Sequence, residues 1–316
     1  MENYVEDGII GMGSYGVVYK VRSVKDGKEY ALKCHMYPVL DATVRELSSL
    51  AALRGHQFVI QMFDCFITDG KITTLMPLMP YTLHMAIYNH PVLAIPYGLE
   101  GGMPLSFVAR FSVQVATALS YMHRLNLVHR DINPSNVLLT EDLTVKVSDM
   151  GLARQVSKWM SPEVCTELYR APELFAEIVG DGQRLEYTCA IDMWSLGTMI
   201  ADAVEGTMVF GARECGADWL DTCDIIIKTL CPRNHPSASQ EPWDPALVMP
   251  NVTKHALVKR ITFGLLAFNG NERLLAHELL LDKEWSEATH MTEKEIDSVR
   301  AHILLGVQKQ TLQAIE

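Results

Sequence analysis

The sequence predicts an α+β fold of two lobes, a small antiparallel β-rich lobe followed by a larger α-helical one. Two observations carry this. Residues 4–33 run in short stretches of alternating apolar and polar residues broken by glycine, the signature of half-buried strands. Beyond the proline-punctuated stretch Pro77-Leu78-Met79-Pro80 the apolar residues take helical spacing instead. At 316 residues, 48% hydrophobic and 21% charged, the chain has ample material for a core and no bias toward disorder. The expected division is one domain over 1–288 (small lobe 1–76, hinge 77–82, large lobe 83–288) and a helical tail over 289–316. A cleft between the lobes is the natural place for a small ligand.

Val17-Val18-Tyr19-Lys20-Val21 and Tyr30-Ala31-Leu32-Lys33 read as strands. Val44 to Leu53 carries Val44, Leu47, Leu50 and Ala51 at helical spacing, which predicts a helix with Val44 and Leu47 facing inward. Phe58 to Phe66 and Ile72 to Met76 are two more expected strands. Leu105 to Leu125 sets Phe107, Val108, Phe111, Val115, Leu119 and Met122 on one helix face. Ile191 to Val204 and Cys223 to Leu230 read as buried helices. Asn89 to Gly102 and Cys231 to Pro250, rich in turn residues, read as irregular surface stretches. The tail opens with the capping-box pattern Thr292-Glu293-Lys294-Glu295. It then places Ile296, Val299, Ile303 and Val307 on one face, for docking on the body or on a partner.

The formal charge of −11 speaks against nucleic acid, whose backbone calls for a basic face. Met1 to Asp7 has neither a basic n-region nor an apolar h-region, and no apolar run nears the ~20 residues of a membrane span. Seven scattered cysteines without a Cys-x-x-Cys pair read as reduced thiols of a cytoplasmic or nuclear protein.

Gly11-Met12-Gly13-Ser14-Tyr15-Gly16-Val17-Val18 is a Gly-x-Gly-x-x-Gly-x-Val run. A dinucleotide fingerprint shares those glycines, but its turn opens a helix, whereas Val17 to Val21 continues as a strand. Glycines between two strands let backbone lie over phosphates without Cβ clashes. Taken alone, the run also fits an ordinary hairpin. Lys33 ends the following strand, where its ammonium can reach α- and β-phosphates. Glu46, on the next helix, can hold it in a salt bridge. At the hinge, Pro77 C=O and Met79 N–H can hydrogen-bond an adenine, with Met76 behind it.

His129-Arg130-Asp131-Ile132-Asn133-Pro134-Ser135-Asn136, followed by Ser148-Asp149-Met150-Gly151, supplies the chemistry. Asp131 suits an acceptor hydroxyl, which a carboxylate orients or deprotonates. Asn136 and Asp149 offer hard oxygen ligands of the kind Mg²⁺ takes. Each alone is more simply a loop residue capping a turn. The ordered set points to phosphoryl transfer, in which the protein positions the acceptor and offsets phosphoryl charge.

On these residues the chain resembles the eukaryotic-type protein kinases, and among them the cyclin-dependent and MAP kinases. The likeness runs from about Met1 to Trp285. Met1 to Tyr4 and Ile10 to Lys20 are similar to a cyclin-dependent kinase N-terminus, and Thr43-Val44-Arg45-Glu46-Leu47 to the end of its cyclin-contacting helix. Thr166 to Glu173 resembles the end of the activation segment, and Ile191 to Gly197 the buried helix after it. The resemblance implies the bilobal protein-kinase fold and transfer of the γ-phosphate of ATP, with Mg²⁺, to protein Ser/Thr. It implies catalytic roles for Asp131, Lys33 and Glu46, and Mg²⁺ ligation by Asn136 and Asp149. ATP contacts are implied at Ile10, Gly11, Met12, Gly13, Ser14, Tyr15, Gly16, Val17, Val18, Ala31, Lys33, Pro77 and Met79.

The resemblance further implies a Glu173–Arg273 pair and an arginine cluster, Arg45, Arg130 and Arg154, around phosphorylated Ser161. Glu163 would stand nearby as a permanent anion. Ser14 and Tyr15 match positions of inhibitory phosphates, although Tyr15 reads equally as a plain loop aromatic. Arg170 implies a preference for proline after the target residue, with Leu168 in place of the usual tryptophan. Expected partners are a protein substrate and a cyclin-like activator.

The chain departs from the pattern at Asn133, where such kinases carry a lysine that helps hold the γ-phosphate, and at Met150, where phenylalanine is usual. Loss of that charge can cost a few orders of magnitude in rate. These departures favour a catalytically silent scaffold as the alternative; joint retention of Lys33, Glu46, Asp131, Asn136 and Asp149 counts against it. The Ala171-Pro172-Glu173 element favours a protein acceptor over a small molecule. Altered catalytic-loop residues and short loops suit a divergent member, of the kind large DNA viruses carry.

Overall fold

The structure is a computed structural model that describes residues 3–13, 16–36, 40–88, 102–157, 164–175, 178, 187–215 and 218–313. Five antiparallel strands, β1 (Tyr4–Gly13), β2 (Gly16–Ser23), β3 (Glu29–His35), β4 (Asp64–Thr68) and β5 (Lys71–Pro77), form one sheet in the order β1-β2-β3-β5-β4. Val21, Leu32 and Leu75 are its buried centre, with Tyr4, Tyr30 and Phe66 packed around them.

The strand expected over Phe58–Phe66 begins only at Asp64. Val59 and Ile60 are buried in the large core instead, where Ile60 N–H donates to Val147 O at 2.9 Å. Consecutive apolar residues suit burial on all sides better than one half-exposed sheet face.

Helix α1 (Asp41–Ala52) buries Ala42, Thr43, Glu46, Ser49 and Leu50. This corrects the expected orientation: Val44 is 52% exposed and Leu47 half-buried. The inner face belongs to Glu46, because Lys33 meets its charge there.

The rest of the chain is mainly helical. Strand β6 (Tyr81–Thr82) leads into α2 (Leu83–Tyr88), and α3 (Leu105–Arg124) buries Phe107, Val108, Phe111, Val115, Leu119 and Met122 as expected. Strands β7 (Leu127–Val128), β8 (Val137–Leu139), β9 (Val145–Val147) and β10 (Arg154–Gln155) frame the two catalytic-loop motifs; β6-β8-β9 and β7-β10 are small sheets. Helix α4 (Ala190–Glu205) is buried along nearly its whole length. The helices α5 (Thr222–Leu230), α6 (Pro245–Val248), α7 (Pro250–Lys254), α8 (Ala256–Leu265), α9 (Ala276–Leu281) and α10 (Lys283–Glu287) follow, with α6 inside the stretch expected to be irregular.

Two buried charges tie this region together. The Arg273 side chain, fully inaccessible, donates Nη1 to Glu173 Oε1 at 2.7 Å and Nη2 to Oε2 at 2.9 Å. It also donates to the carbonyls of Ala190 and Ala267 and lies over the Trp194 ring. This is the pair the resemblance implies. Asp192, in an apolar run of α4, accepts from the backbone N–H groups of His129 and Arg130, both at 2.9 Å.

The tail helix α11 (Glu293–Gln313) starts with the expected box: Thr292 N–H donates to Glu295 Oε2 at 2.8 Å and Glu295 N–H to Thr292 Oγ1 at 3.3 Å. Val299 and Ile303 are fully buried, and Ser106 Oγ donates to Glu295 Oε1 at 2.7 Å. The helix is thus docked on the body, against α2. The Val307 side chain and Asn89–Gly101 lie outside the described residues. All seven cysteines are free. Among the described residues no helix is long and apolar enough to cross a membrane.

Candidate active site

The hairpin β1–β2 pairs Gly11 with Val18 and Gly13 with Gly16. Ser14 and Tyr15, at its tip, lie outside the described residues. Ile10 and Met12 are 50% and 72% exposed, so the hairpin presents apolar side chains that a nucleotide could cover. Gly16 is obligatory on steric grounds: a Cβ there would sit 2.5 Å from Cys34 O. The register Val18–Lys33 and Ala31–Met76 puts Val18, Ala31, Lys33 and Met76 on one sheet face. Pro77 ends β5 and Met79 follows it, both half-buried.

Lys33 Nζ donates to Glu46 Oε1 at 2.6 Å and to Asp149 Oδ1 at 3.3 Å. Burial acts against the Lys33 charge, but Glu46 and Asp149 outweigh it and hold the ammonium above its ordinary pKa. Burial pushes the Asp149 carboxyl up; Lys33 and the Gly151 N–H overcome this and hold it below the usual range. Asp149 sits at φ 57, a left-handed conformation unusual outside glycine. That turn brings its carboxylate to Lys33, and Met150 behind it is fully buried.

Asp131 is the second pole. Its Oδ1 accepts from Thr166 N–H at 3.0 Å and from Thr166 Oγ1 at 2.9 Å; its Oδ2 accepts from Asn136 Nδ2 at 2.9 Å. Asn136 Nδ2 also donates to Asp131 O at 2.9 Å. Both amide hydrogens are thereby committed, and the Asn136 oxygen is left as the ligand atom. The Ser148 N–H and Oγ both donate to Asn136 O, at 2.9 and 3.0 Å, which sets Asn136 beside the Asp149 turn. A carbonyl oxygen and a carboxylate fit Mg²⁺, which takes its remaining ligands from water and phosphate.

Asn133 is 6% exposed. Its Nδ2 donates to Asp131 O and Thr166 Oγ1, each at 3.2 Å, and its Oδ1 accepts from the N–H groups of Ser135 and Asn136 at 3.0 and 3.1 Å. The side chain is saturated and organises the loop instead of reaching toward a phosphate.

The structure brings two of the three expected arginines together. Arg45 and Arg154 line a cavity of about 620 Å³ with Ser48, Gln155 and Ser157, and Arg45 Nε is buried with no hydrogen-bond partner among the described residues. Arg130 does not line it; at φ 67 it donates Nε to Leu152 O at 2.7 Å and Nη1 to the Tyr187 hydroxyl at 3.1 Å. Ser161 and Glu163 lie outside the described residues. Arg170 donates to Val164 O and Cys165 O, both at 3.2 Å, with Cys165 at φ 68.

Two contributors escaped sequence reading. Thr166 is a hydroxyl in an ordinary-looking loop, and nothing local shows that it holds Asp131. Asp192 had a signal: an acid inside Ala190-Ile191-Asp192-Met193-Trp194 must be buried, and a buried charge needs donors.

The family model described as the protein kinase domain matches residues 4–286. A mitogen-activated protein kinase, HOG1A of Wallemia ichthyophaga, is 32% identical over 211 residues, 65% of this chain and 53% of that one. The chain therefore spans about half the length of that relative. Cell division control protein 2 homolog 3 of Trypanosoma brucei brucei is 32% identical over 224 residues, covering 68% of this chain and 67% of that one. A chain in the structure of the CAK complex from Chaetomium thermophilum bound to ATP-gamma-S superposes with a TM-score of 0.72 at 26% identity, covering 93% of this chain and 94% of that one. With the Lys33–Glu46–Asp149 ion-pair chain and the Asp131–Asn136 loop in place, this chain belongs to the protein kinase family, in the serine/threonine group that includes the MAP kinases and Cdc2-like kinases.

Proposed function

We propose that the protein transfers the γ-phosphate of Mg²⁺-ATP to Ser and Thr hydroxyls of proteins, with proline favoured after the acceptor. The observation that carries the transfer is the closed Lys33–Glu46 pair continuing to Asp149. Lys33 binds the α- and β-phosphates beneath the Gly11–Val18 hairpin, and Pro77 and Met79 hold the adenine at the hinge, residues 77–82. Asn136 and Asp149 hold Mg²⁺, which offsets charge on the phosphoryl oxygens. Asp131, fixed by Thr166 and Asn136, orients the acceptor hydroxyl and accepts its proton. The silent-scaffold reading finds nothing to favour it here, because Asn133 is used in shaping the same loop.

The proline preference follows from Arg170. It turns the Val164 and Cys165 carbonyls toward itself, so a substrate N–H following the acceptor meets no free acceptor there. An unmade hydrogen bond costs about 1–3 kcal/mol, and proline has no N–H to leave unmade. With [γ-³²P]ATP and Mg²⁺, a Ser-Pro peptide should therefore exceed its Ser-Ala counterpart about 10- to 100-fold in kcat/KM. Equal rates would remove the preference, and no transfer to either peptide would remove the activity.

The Arg45–Arg154 cavity, with its unpartnered Arg45 Nε, suits a phosphate on Ser161 that orders the preceding loop. Ser161→Ala should lower kcat/KM at least about tenfold. Active enzyme with Ser161 unmodified, and Ser161→Ala at the wild-type rate, would sink this assignment. The outer side of α1, where Val44 and the preceding Leu40 are exposed, suits a cyclin-like activator.

A further inference from the structure

Next to the Val164–Arg170 segment, which the proposed function makes the substrate-recognition loop, lies a polar cluster that none of these roles uses. The Tyr88 hydroxyl, at the end of α2, is 2.7 Å from the Tyr169 hydroxyl and hydrogen-bonded to Asp202 Oδ2. The Tyr169 hydroxyl is 3.1 Å from the same Oδ2. Three oxygens thus form a triangle with three close contacts. Three contacts need three hydrogens, and the two phenols supply one each. Burial drives both phenols well above their ordinary pKa values, so both keep their hydrogens. Two phenol hydrogens can serve only two of the contacts; a hydrogen in the third places a proton on the carboxyl.

The surroundings agree. Asp202 is 1% exposed, and its Oδ1 accepts from Val209 N–H at 2.8 Å. Facing it are Tyr88 from α2, Tyr169 from the loop and the Val209 N–H from the segment after α4. His84, whose ring lies tilted against Tyr88, has its pKa lowered by burial. The nearby guanidinium of Arg213 is turned to the carbonyls of Val209 and Gly211. No cation among the described residues meets the carboxyl, and an isolated buried carboxylate is costly.

We propose that Asp202 is a neutral carboxylic acid closing this ring, and that with Tyr88 it positions the substrate-recognition loop through Tyr169. Tyr169 precedes Arg170, which holds the Val164 and Cys165 carbonyls, and its own carbonyl accepts from Ser195 Oγ at 2.7 Å. The ring therefore sets the wall that reads the residue after the acceptor. Burial raises the Asp202 carboxyl from its ordinary 3.8 to about 7. The ring's contribution is full in acid and is lost as the pH rises through about 7. On ionisation one contact loses its hydrogen, two oxygens face each other lone pair to lone pair, and the loop loosens. The substrate-binding half of this inference rests on the kinase reading above.

Asp202→Asn keeps the shape and removes the titration, because the amide donates to both phenols while its oxygen accepts from Val209. Tyr88→Phe breaks the ring from the other side. The wild-type-minus-Asp202→Asn infrared spectrum should show the C=O stretch of a protonated carboxyl at about pH 6 that disappears by about pH 9. Over the same range the wild type should lose affinity for a fluorescent Ser-Pro peptide about five- to tenfold, while Asp202→Asn stays flat. Tyr88→Phe should bind that peptide similarly weakly already at about pH 6, with ATP affinity unmoved in both variants. Absence of the carboxyl band at acid pH would overturn the neutral acid. A peptide affinity equally pH-dependent in Asp202→Asn would overturn the positioning role. The band and pH-linked peptide binding without phosphoryl transfer would support the ring and overturn the kinase reading alone.

Discussion

Replacing Asp131 with asparagine is expected to lower kcat by roughly 10²- to 10⁴-fold, the range of a lost general base, while leaving the KM for ATP near its wild-type value. The variant differs by one atom type, but the site is built around acceptors. Oδ1 takes two donors from Thr166 and Oδ2 one from Asn136. A carboxamide must turn its NH₂ toward one of these donors, so the group loses its acceptor for the hydroxyl proton and its fixed orientation together. Lys33, Glu46 and Asp149 do not touch Asp131 in the hydrogen-bond network, which is why nucleotide binding should survive. Steady-state kinetics with a Ser-Pro peptide separates the two parameters. A kcat within about threefold of wild type, well short of the range for a lost base, would mean that the hydroxyl is handled elsewhere.

Arg273→Ala should instead act on stability, by about 3–5 kcal/mol, the cost of breaking a buried pair from one side. The truncation strands the Glu173 carboxylate, 22% exposed, and removes donors from the Ala190 and Ala267 carbonyls. It also empties the space over Trp194. Arg273→Lys should recover only part of the loss, since an ammonium cannot reproduce the two parallel bonds to Glu173. Urea unfolding at fixed pH measures both variants. A loss below about 1 kcal/mol, the level of an exposed ion pair, would show that solvent or a neighbour takes over the pairing.

Much of this site was legible because phosphate chemistry demands particular side chains in a particular chain order. Lys33, Glu46, Asp131, Asn136 and Asp149 stand where their motifs imply, and three of them meet in one ion-pair chain. Periodicity was less reliable. It turned α1 so that Val44 faced inward, because counting apolar residues ignores that a buried glutamate with a lysine partner can outcompete an exposed-tolerant valine. It also extended a strand over Phe58–Phe63, where apolar content was real but the burial is in another core. Arg130 shows a third limit: the motif gives the residue, yet its guanidinium is engaged by Leu152 and Tyr187 rather than turned to the Arg45–Arg154 cavity. The Tyr88–Tyr169–Asp202 ring left no trace beyond an aspartate in an apolar helix, since its members lie far apart in the chain.

The Glu173–Arg273 pair joins positions 100 residues apart. A chain leaves the ribosome in order, so Lys33, Glu46, Asp131 and Asp149 are all available before Arg273 has been made. Until then Glu173 lacks its Arg273 counter-charge, and the turn before it is held to the following chain through α4, by Ser195 and Asp202. A nascent chain can therefore present Lys33, Glu46, Asp131 and Asp149 before the Glu173 turn has gained its ion pair. Synthesis thus leaves the closing of the Glu173 turn to the moment Arg273 emerges.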